Sequence, residues 1–112
     1  MPRNMSFAMT TDQIRNRTKT VTRRFGWWFL KPGDTVNAVE KAMGLKPGEK
    51  IKKISQIRII STRTEPLSAI TSDDCVREGF PDFTPAQFIE MLTTHYKCDP
   101  AKPVNRIEFE YI

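Results

Sequence analysis

Hydrophobic and polar positions alternate with a period of two residues in three stretches of the chain, which is typical of strands with one buried face. The first stretch, DTVNAVEK, alternates around Val36 and Ala38. The second, KIKKISQIRIISTRTEPL, is long enough to predict either one bent strand or two strands broken near Ser55 and Gln56. The third stretch closes the chain, with apolar side chains at Ile107, Phe109 and Tyr111.

The clearest helical pattern lies in FTPAQFIEMLTTHYKC. Thr84 is a suitable N-cap, and Pro85 takes the first helical position, where its missing N–H leaves no hydrogen bond unmade. The spacing of three to four residues between apolar side chains predicts a buried stripe. Its members are Phe88, Ile89, Leu92 and Tyr96.

Two shorter helices are predicted from the residue types in their first turns. In SFAMTTDQIRNRT, Thr10 or Thr11 caps a short amphipathic helix, and an irregular tail over residues 1–6 precedes it. In TSDDCVREGF, Thr71 or Ser72 caps a second short helix with acidic residues in its first turn.

Turn residues divide the rest of the chain into short strands. Pro-Gly pairs at 32–33 and 47–48 predict tight turns, because proline suits the second position of a turn and glycine the third. The β-branched residues of KTVTRR favour an extended segment. Many strands and few helices within 112 residues predict a single α+β domain, a small β-barrel with helices against it.

The composition favours a polyanionic partner. The formal net charge is +5 and the pI is near 9.5, which suits RNA, DNA or phosphorylated metabolites. The sequence shows neither an apolar leader nor an apolar run long enough to cross a bilayer, so we expect a cytoplasmic protein with no membrane partner. It leaves the oligomeric state open.

The cysteines and the single histidine argue against metal and disulfide chemistry. Cys75 and Cys98 are far apart, and neither completes a zinc-ligand spacing with His95. We therefore expect no metal, no cofactor and reduced thiols.

The densest group of candidate functional residues runs from Lys19 to Arg24. It combines three cations with hydroxyls at Thr20 and Thr22. In a regular strand Lys19 and Thr22 face opposite sides, so a twist is needed to bring both into one pocket. Such a set can hold an anion or a nucleobase carbonyl, or activate a hydroxyl if burial lowers the lysine pKa. The alternative is a solvated basic edge strand.

Glu78 and two tryptophans are further candidates. Glu78 ends the second short helix, where a negative charge opposes the helix dipole, and such locally unfavourable charges concentrate at functional sites. The alternative is an exposed acid or one paired with an arginine. Trp27 and Trp28 follow the basic segment, and aromatic rings beside cations are typical of base stacking. One of them is expected in the core and the other at a pocket wall or rim.

The ordered set KTVTRR, LKPGDTV, PLSAITSDDCVREGF, FIEML and VNRIEFEYI resembles the ASCH family over about residues 19–111. The resemblance implies a PUA-like β-barrel domain over residues 1–112, with helices covering the barrel openings and a cleft between them. Some small bacterial members are similar to amidohydrolases that deacetylate N4-acetylcytidine, while others look like RNA-binding modules or nucleases. The segments WWFLKPGD and MGLKPGEK look like a variant carried in phage and prophage genomes.

The resemblance implies a catalytic set of Lys19, Thr22 and Glu78. Thr22 would attack the acetyl carbonyl, Lys19 would take its proton, and Glu78 would orient the lysine or pass a proton to the leaving amine. Arg23 or backbone N–H groups would stabilise the oxyanion. The residues expected to contact substrate or RNA are Thr20, Arg23, Arg24, Trp27 and Trp28.

Two functions are therefore expected for the same cleft. One is an amidohydrolase acting on an acylated cytosine nucleoside. The other is a non-catalytic RNA-binding module, or an RNA-cleaving protein. The partner is a nucleoside in the first case and RNA in the second.

Overall fold

A computed structural model describes residues 3–41 and 46–112 of the chain. The elements, in chain order, are β1 (Arg3–Ser6), α1 (Thr11–Arg15), β2 (Val21–Arg24), β3 (Thr35–Val39), β4 (Lys53–Pro66), a 3-10 turn (Leu67–Ala69), α2 (Ser72–Arg77), α3 (Pro85–Tyr96) and β5 (Pro103–Tyr111).

The strands form one mixed sheet in the spatial order β1-β3-β4-β5-β2. β1 pairs with β3 in parallel, and every other neighbouring pair is antiparallel. The edge strands β1 and β2 have four residues each and share no ladder in the part of the chain that is described. The sheet is therefore a curled half-barrel, and the closed barrel expected from the sequence is not formed by these strands.

The second alternating stretch forms one strand rather than two. β4 runs for 14 residues, and its register with β5 shifts between Ile59 and Ser61 rather than near Ser55 and Gln56. A bulge strengthens the local twist of a strand, so this shift contributes to the curl of the sheet.

Two apolar clusters hold the elements together. One lies against the sheet, with Met5, Phe7, Ile57, Ile107 and Phe109 among its buried members. The other joins α2 and α3 to one end of β5 and includes Leu67, Cys75, Phe88, Leu92 and Val104. The two longer helices thus pack over one end of the half-barrel.

The chain start differs from the expectation of an irregular tail. Residues 3–6 form β1, whose backbone pairs with β3 and whose Met5 is buried in the sheet cluster. The sequence RNMS has no alternation that predicts a strand, so its pairing depends on a partner distant in sequence. Residues 1 and 2 of the predicted tail, and the residues at 44–45 that open the segment GLKPGEK, lie outside the described residues.

Local sequence rules hold best in α3. The Thr84 hydroxyl accepts a hydrogen bond from the Gln87 N–H at 3.2 Å, and the Gln87 side chain accepts one from the Thr84 N–H at 2.9 Å. Phe88 and Leu92 are buried as predicted, but Tyr96 is 49% exposed because the helix ends at the cavity described below. No helix in the described ranges is both long and apolar enough to span a membrane.

Gly79 sets the path of the chain as it leaves α2. Its φ is +94°, and an added Cβ would lie 2.6 Å from the Gln13 Cγ atom. The Gln13 side chain also donates a hydrogen bond to the Gly79 carbonyl at 3.3 Å. A glycine at this position lets α1 pack against the residue that follows Glu78.

We expect Gly79→Ala to lower the free energy of unfolding by about 2 kcal/mol or more. The left-handed backbone alone costs about 1–2 kcal/mol for an L-residue, and the contact with Gln13 adds to this cost. Urea denaturation of the two proteins measures the difference.

The matched control is Gly33→Ala. Gly33 has a φ of +93°, and an added Cβ there meets no atom within 4 Å, so only the backbone cost applies. Equal losses of stability at the two positions would show that the close approach of Gln13 contributes nothing.

Candidate active site

A cavity of about 270 Å³ lies where the two edges of the curled sheet approach each other, under one face of α3. The end of β1 contributes Ser6 to its wall, and β2 contributes Thr22, Arg23 and Arg24. Apolar walls come from Phe7, Phe80, Phe88, Met91 and Leu92. The cavity therefore combines an apolar wall suited to a flat ring with a polar wall from β2.

Lys19 supplies a buried amine to this cavity. The residue lies between α1 and β2 and is only 3% exposed. Its Nζ atom donates to the Glu78 backbone carbonyl at 2.9 Å and to the Glu78 Oε1 atom at 2.5 Å. Burial lowers the pKa of Lys19, and the nearby Glu78 carboxylate opposes that shift without cancelling it.

Glu78 is held between two cations directly after α2. Its Oε1 atom accepts from Lys19, and its Oε2 atom accepts from the Arg23 Nη1 group at 3.1 Å. The residue is 2% exposed, so it is not a solvated acid. Its two cation partners account for a negative charge at a helix end that the dipole disfavours.

The Arg24 side chain joins the two edges of the sheet and also bonds to Thr22. The Arg24 Nε–H donates to the Thr22 hydroxyl at 3.1 Å, and its Nη2 group donates to the Ser6 carbonyl at 2.7 Å. The guanidinium also lies 4.6 Å above the centre of the Phe7 ring. Because the Thr22 oxygen accepts a charged hydrogen bond, its own proton is free to be donated elsewhere.

Arg23 is the centre of a buried ion cluster formed by Arg23, Arg106, Glu65, Asp74 and Glu78. Its side chain is fully buried and donates to Glu78, to Glu65 at 3.1 Å, and to Asp74. Arg106 holds Asp74 with two further bonds, of 2.7 and 2.9 Å. These hydrogen bonds, those of Arg106 first, hold the pKa of Asp74 well below its usual range.

Sequence reasoning missed three members of this cluster. Asp74 reads as a first-turn acid of a short helix, Arg106 as the polar side of an alternating strand, and Glu65 as part of a solvated strand end. All three are buried or nearly so. One signal was available: charged residues of opposite sign occur within elements whose apolar patterns predict burial. The sequence does not show which of these charges pair with each other.

The other predicted contact residues lie outside this cavity. Thr20 takes part through its backbone, donating to the Arg77 carbonyl and accepting from the Phe109 N–H. Trp27 packs against the sheet cluster and lines a second cavity next to Arg24. Trp28 is 53% exposed and lines neither of these two cavities. His95, near the end of α3, also lines the first cavity.

The chain matches no family model and no curated protein. Its fold is similar to the crystal structure of a protein from Enterococcus faecalis V583 that is described by the family model DUF984. The TM-score is 0.66 at 15% sequence identity, over 100% of this chain and 77% of that chain. At this identity the likeness shows the fold alone, a small α+β domain, and the resemblance to the ASCH family stays a prediction. Within residues 3–41 and 46–112 no group of three His, Cys, Asp or Glu side chains is arranged to hold a metal ion.

We expect Asp74→Asn to lower the free energy of unfolding at pH 7 by about 3–5 kcal/mol, since it leaves two buried arginines short of a counter-charge. The depressed pKa of Asp74 means that its contribution is present above the unfolded pKa near 4 and is lost as the pH falls through the folded pKa. The free energy of unfolding should therefore fall less steeply with decreasing pH in the variant than in the wild type. Thermal and urea unfolding between pH 7 and pH 2 measure both effects.

Glu110→Gln is the control for Asp74→Asn. It removes a surface ion pair in which the Arg58 Nη1 atom lies 3.0 Å from the Glu110 Oε1 atom. Each of these side chains is about half exposed. Such pairs contribute only about 0–1 kcal/mol. A loss at Asp74 no larger than the loss at Glu110 would show that the buried ion cluster does not stabilise the fold.

Proposed function

We propose that the protein is an amidohydrolase that removes the acyl group from an N4-acylated cytosine nucleoside, with N4-acetylcytidine as the simplest substrate. The resemblance to the ASCH family suggests this chemistry. The observation that carries the proposal is the buried Lys19–Glu78 pair, which shares a cavity with the Thr22 hydroxyl.

Lys19 is the general base in this proposal. A neutral amine carries two N–H groups and one lone pair. The two bonds from Nζ to Glu78 account for both hydrogens, which leaves the lone pair for the cavity. Because burial lowers the pKa of Lys19, the neutral form is reached at a lower pH than for an exposed lysine.

Thr22 supplies the nucleophile. The Thr22 oxygen attacks the acyl carbon while Lys19 takes the hydroxyl proton, and the bond from Arg24 stabilises negative charge developing on that oxygen. The C–N4 bond then breaks, and the proton held by Lys19 passes to the leaving amine. Water hydrolyses the acyl-threonine, releasing the carboxylic acid and restoring the hydroxyl.

Arg23 supplies positive charge next to the acyl oxygen. Its Nη groups are taken by carboxylates, whereas its buried Nε–H has no partner among the described residues. Arg23 also lines the cavity, but its side chain is fully buried and its Nε atom has almost no accessible surface. It would therefore stabilise an oxyanion through its positive charge, without a direct hydrogen bond. Glu78 then acts mainly by positioning Lys19 and by keeping Arg23 in place.

The size of the first cavity suits one nucleoside unit. Its volume of about 270 Å³ is at the lower end of small-molecule pockets. The alternative of an RNA-binding module is favoured by the net charge of +5. Salt separates the two, because RNA binding weakens steeply with salt whereas turnover of a neutral nucleoside does not.

We expect purified protein to convert N4-acetylcytidine to cytidine and acetate, and we expect Thr22→Val to reduce kcat by at least about a thousandfold. Valine keeps the shape of threonine but lacks the attacking oxygen. Thr22→Ser keeps that oxygen and should retain much of the activity. Loss of the absorbance of the acetylated base measures both rates.

Three further variants complete that assay. Lys19→Ala and Glu78→Ala should also abolish turnover, whereas Thr18→Ala, which changes an exposed threonine outside the cavity, should have no effect. Circular dichroism checks that each variant is folded. If the wild type shows no turnover at high enzyme concentration, or if Thr22→Val is as active as the wild type, the proposed mechanism is wrong.

The rate should rise with pH as Lys19 loses its proton, and it should level off below the ordinary lysine pKa of 10.5. The direction follows because the base must be neutral and burial lowers its pKa. Thr22→Ser should show the same limb at a lower rate, since it leaves the base unchanged. A rate that shows no rise anywhere between mildly acidic and alkaline pH would exclude Lys19 as the base.

A further inference from the structure

A second cavity of about 500 Å³ adjoins the first. The two share Arg24 and Tyr96 in their walls. The remaining wall of the second cavity comes from Arg3 at the start of β1, from the loop after β2 and from Lys102 before β5. A ligand that fills the first cavity can therefore extend directly into the second.

Three cations line the second cavity without carboxylate partners. Arg3, Arg24 and Lys102 form no ion pair with any described residue, and the described wall contains no acid. Each of them lies on an aromatic ring instead, Arg24 on the Phe7 ring of the first cavity. The Arg3 guanidinium is 4.8 Å from the centre of the Phe29 ring, and the Lys102 amine is 4.7 Å from the centre of the Phe25 ring. The charge of this wall thus complements an anion.

The aromatic part of the wall is built with some conformational strain. Trp27 has a φ of +61°, which is uncommon for a bulky residue. The side-chain amide of Asn105, which is 3% exposed, donates to the Trp27 carbonyl at 3.0 Å. The Trp27 ring lies 5.5 Å from that of Phe29, so two rings stand together in one wall. Strained residues that are held in this way concentrate at ligand sites.

We propose that the second cavity binds the nucleotide next to the acylated cytidine in a single-stranded RNA. The linking phosphate would contact Arg24, Arg3 and Lys102, and the neighbouring base would stack on the aromatic wall of Trp27 and Phe29. This inference rests on the proposed function and deepens it. The preferred substrate is then a modified cytidine within a strand, and the free nucleoside is its minimal form.

The combination of groups favours this ligand over other anions. A phosphate or sulfate alone needs the cations but gains nothing from an adjoining pair of rings. An acidic peptide would need backbone partners, and the described side chains offer flat rings instead. A nucleotide uses both features, because every base has a π-face and every linkage has a charge.

The first experiment compares kcat/KM for N4-acetylcytidine and for a single-stranded tetranucleotide that contains one acetylated cytidine. We expect a preference of at least about tenfold for the tetranucleotide at low salt, which falls as salt is raised. The double variant Arg3→Gln/Lys102→Gln should lose most of this preference, while its activity on the free nucleoside stays within about twofold of the wild type. Neither residue lines the first cavity.

Aromatic and charge controls accompany this comparison. Phe29→Ala should lower the preference about fivefold, the effect of losing one stacked base, while Phe29→Tyr keeps the ring and should keep the preference. Phe29 is 53% exposed, so truncation should not unfold the protein. Lys53→Gln removes the same charge as Lys102→Gln at an exposed position outside both cavities and should change nothing.

A binding assay separates this inference from the proposed function. Fluorescence anisotropy with a labelled, unmodified tetranucleotide of cytidine and uridine requires no turnover. Salt-sensitive binding that is lost in Arg3→Gln/Lys102→Gln would support the second cavity even if no acetylated substrate were hydrolysed. Equal kcat/KM for nucleoside and tetranucleotide, or tetranucleotide binding unchanged by that double variant, would overturn it. So would a cytidine 5′-monophosphate that binds as tightly as the tetranucleotide.

Discussion

The burial of one guanidinium, that of Arg23, is the interaction on which the arrangement of this protein depends. A guanidinium buried this deeply needs carboxylate partners, because an unpaired buried ion costs several kcal/mol. Glu65 on β4, Asp74 on α2 and Glu78 after α2 supply them. These contacts fix the short edge strand β2 against a helix far along the chain. They also hold Glu78 at the point where Lys19 reaches it.

The same arrangement explains how a small half-barrel maintains a lysine away from solvent. Among the described residues, Lys19 is paired with one acid, Glu78, which it shares with Arg23. Glu78 therefore gives Lys19 less than a full counter-charge, and desolvation decides the direction of its pKa shift. Burial therefore lowers the pKa of this amine, and competition between two cations for one carboxylate limits how far Glu78 opposes that shift.

A feature could be predicted from the sequence when the residues that form it lie close together along the chain. The helix from Pro85 was predictable because its cap, its first-turn proline and its stripe lie within a few residues of one another. β1 was not, since four residues without alternation become a strand only through pairing with β3. Lys19 and Thr22 reach one cavity because β2 begins at Val21, so strict alternation does not govern Lys19. Arg106 and Asp74 are buried because each supplies the counter-charge of the other, and no local sequence pattern predicts this pairing.

The edge strands β1 and β2 meet at an open seam of the half-barrel, where no backbone ladder joins them in the described structure. This seam affects how such a domain can change over evolution. The contact from Arg24 to the Ser6 carbonyl is made by a side chain rather than by a backbone ladder. Side chains at this seam can be exchanged for longer or shorter ones while the strand register elsewhere stays as it is. A fold built in this way can therefore acquire a wider or narrower cavity through a few substitutions, so one scaffold can accommodate ligands of different sizes.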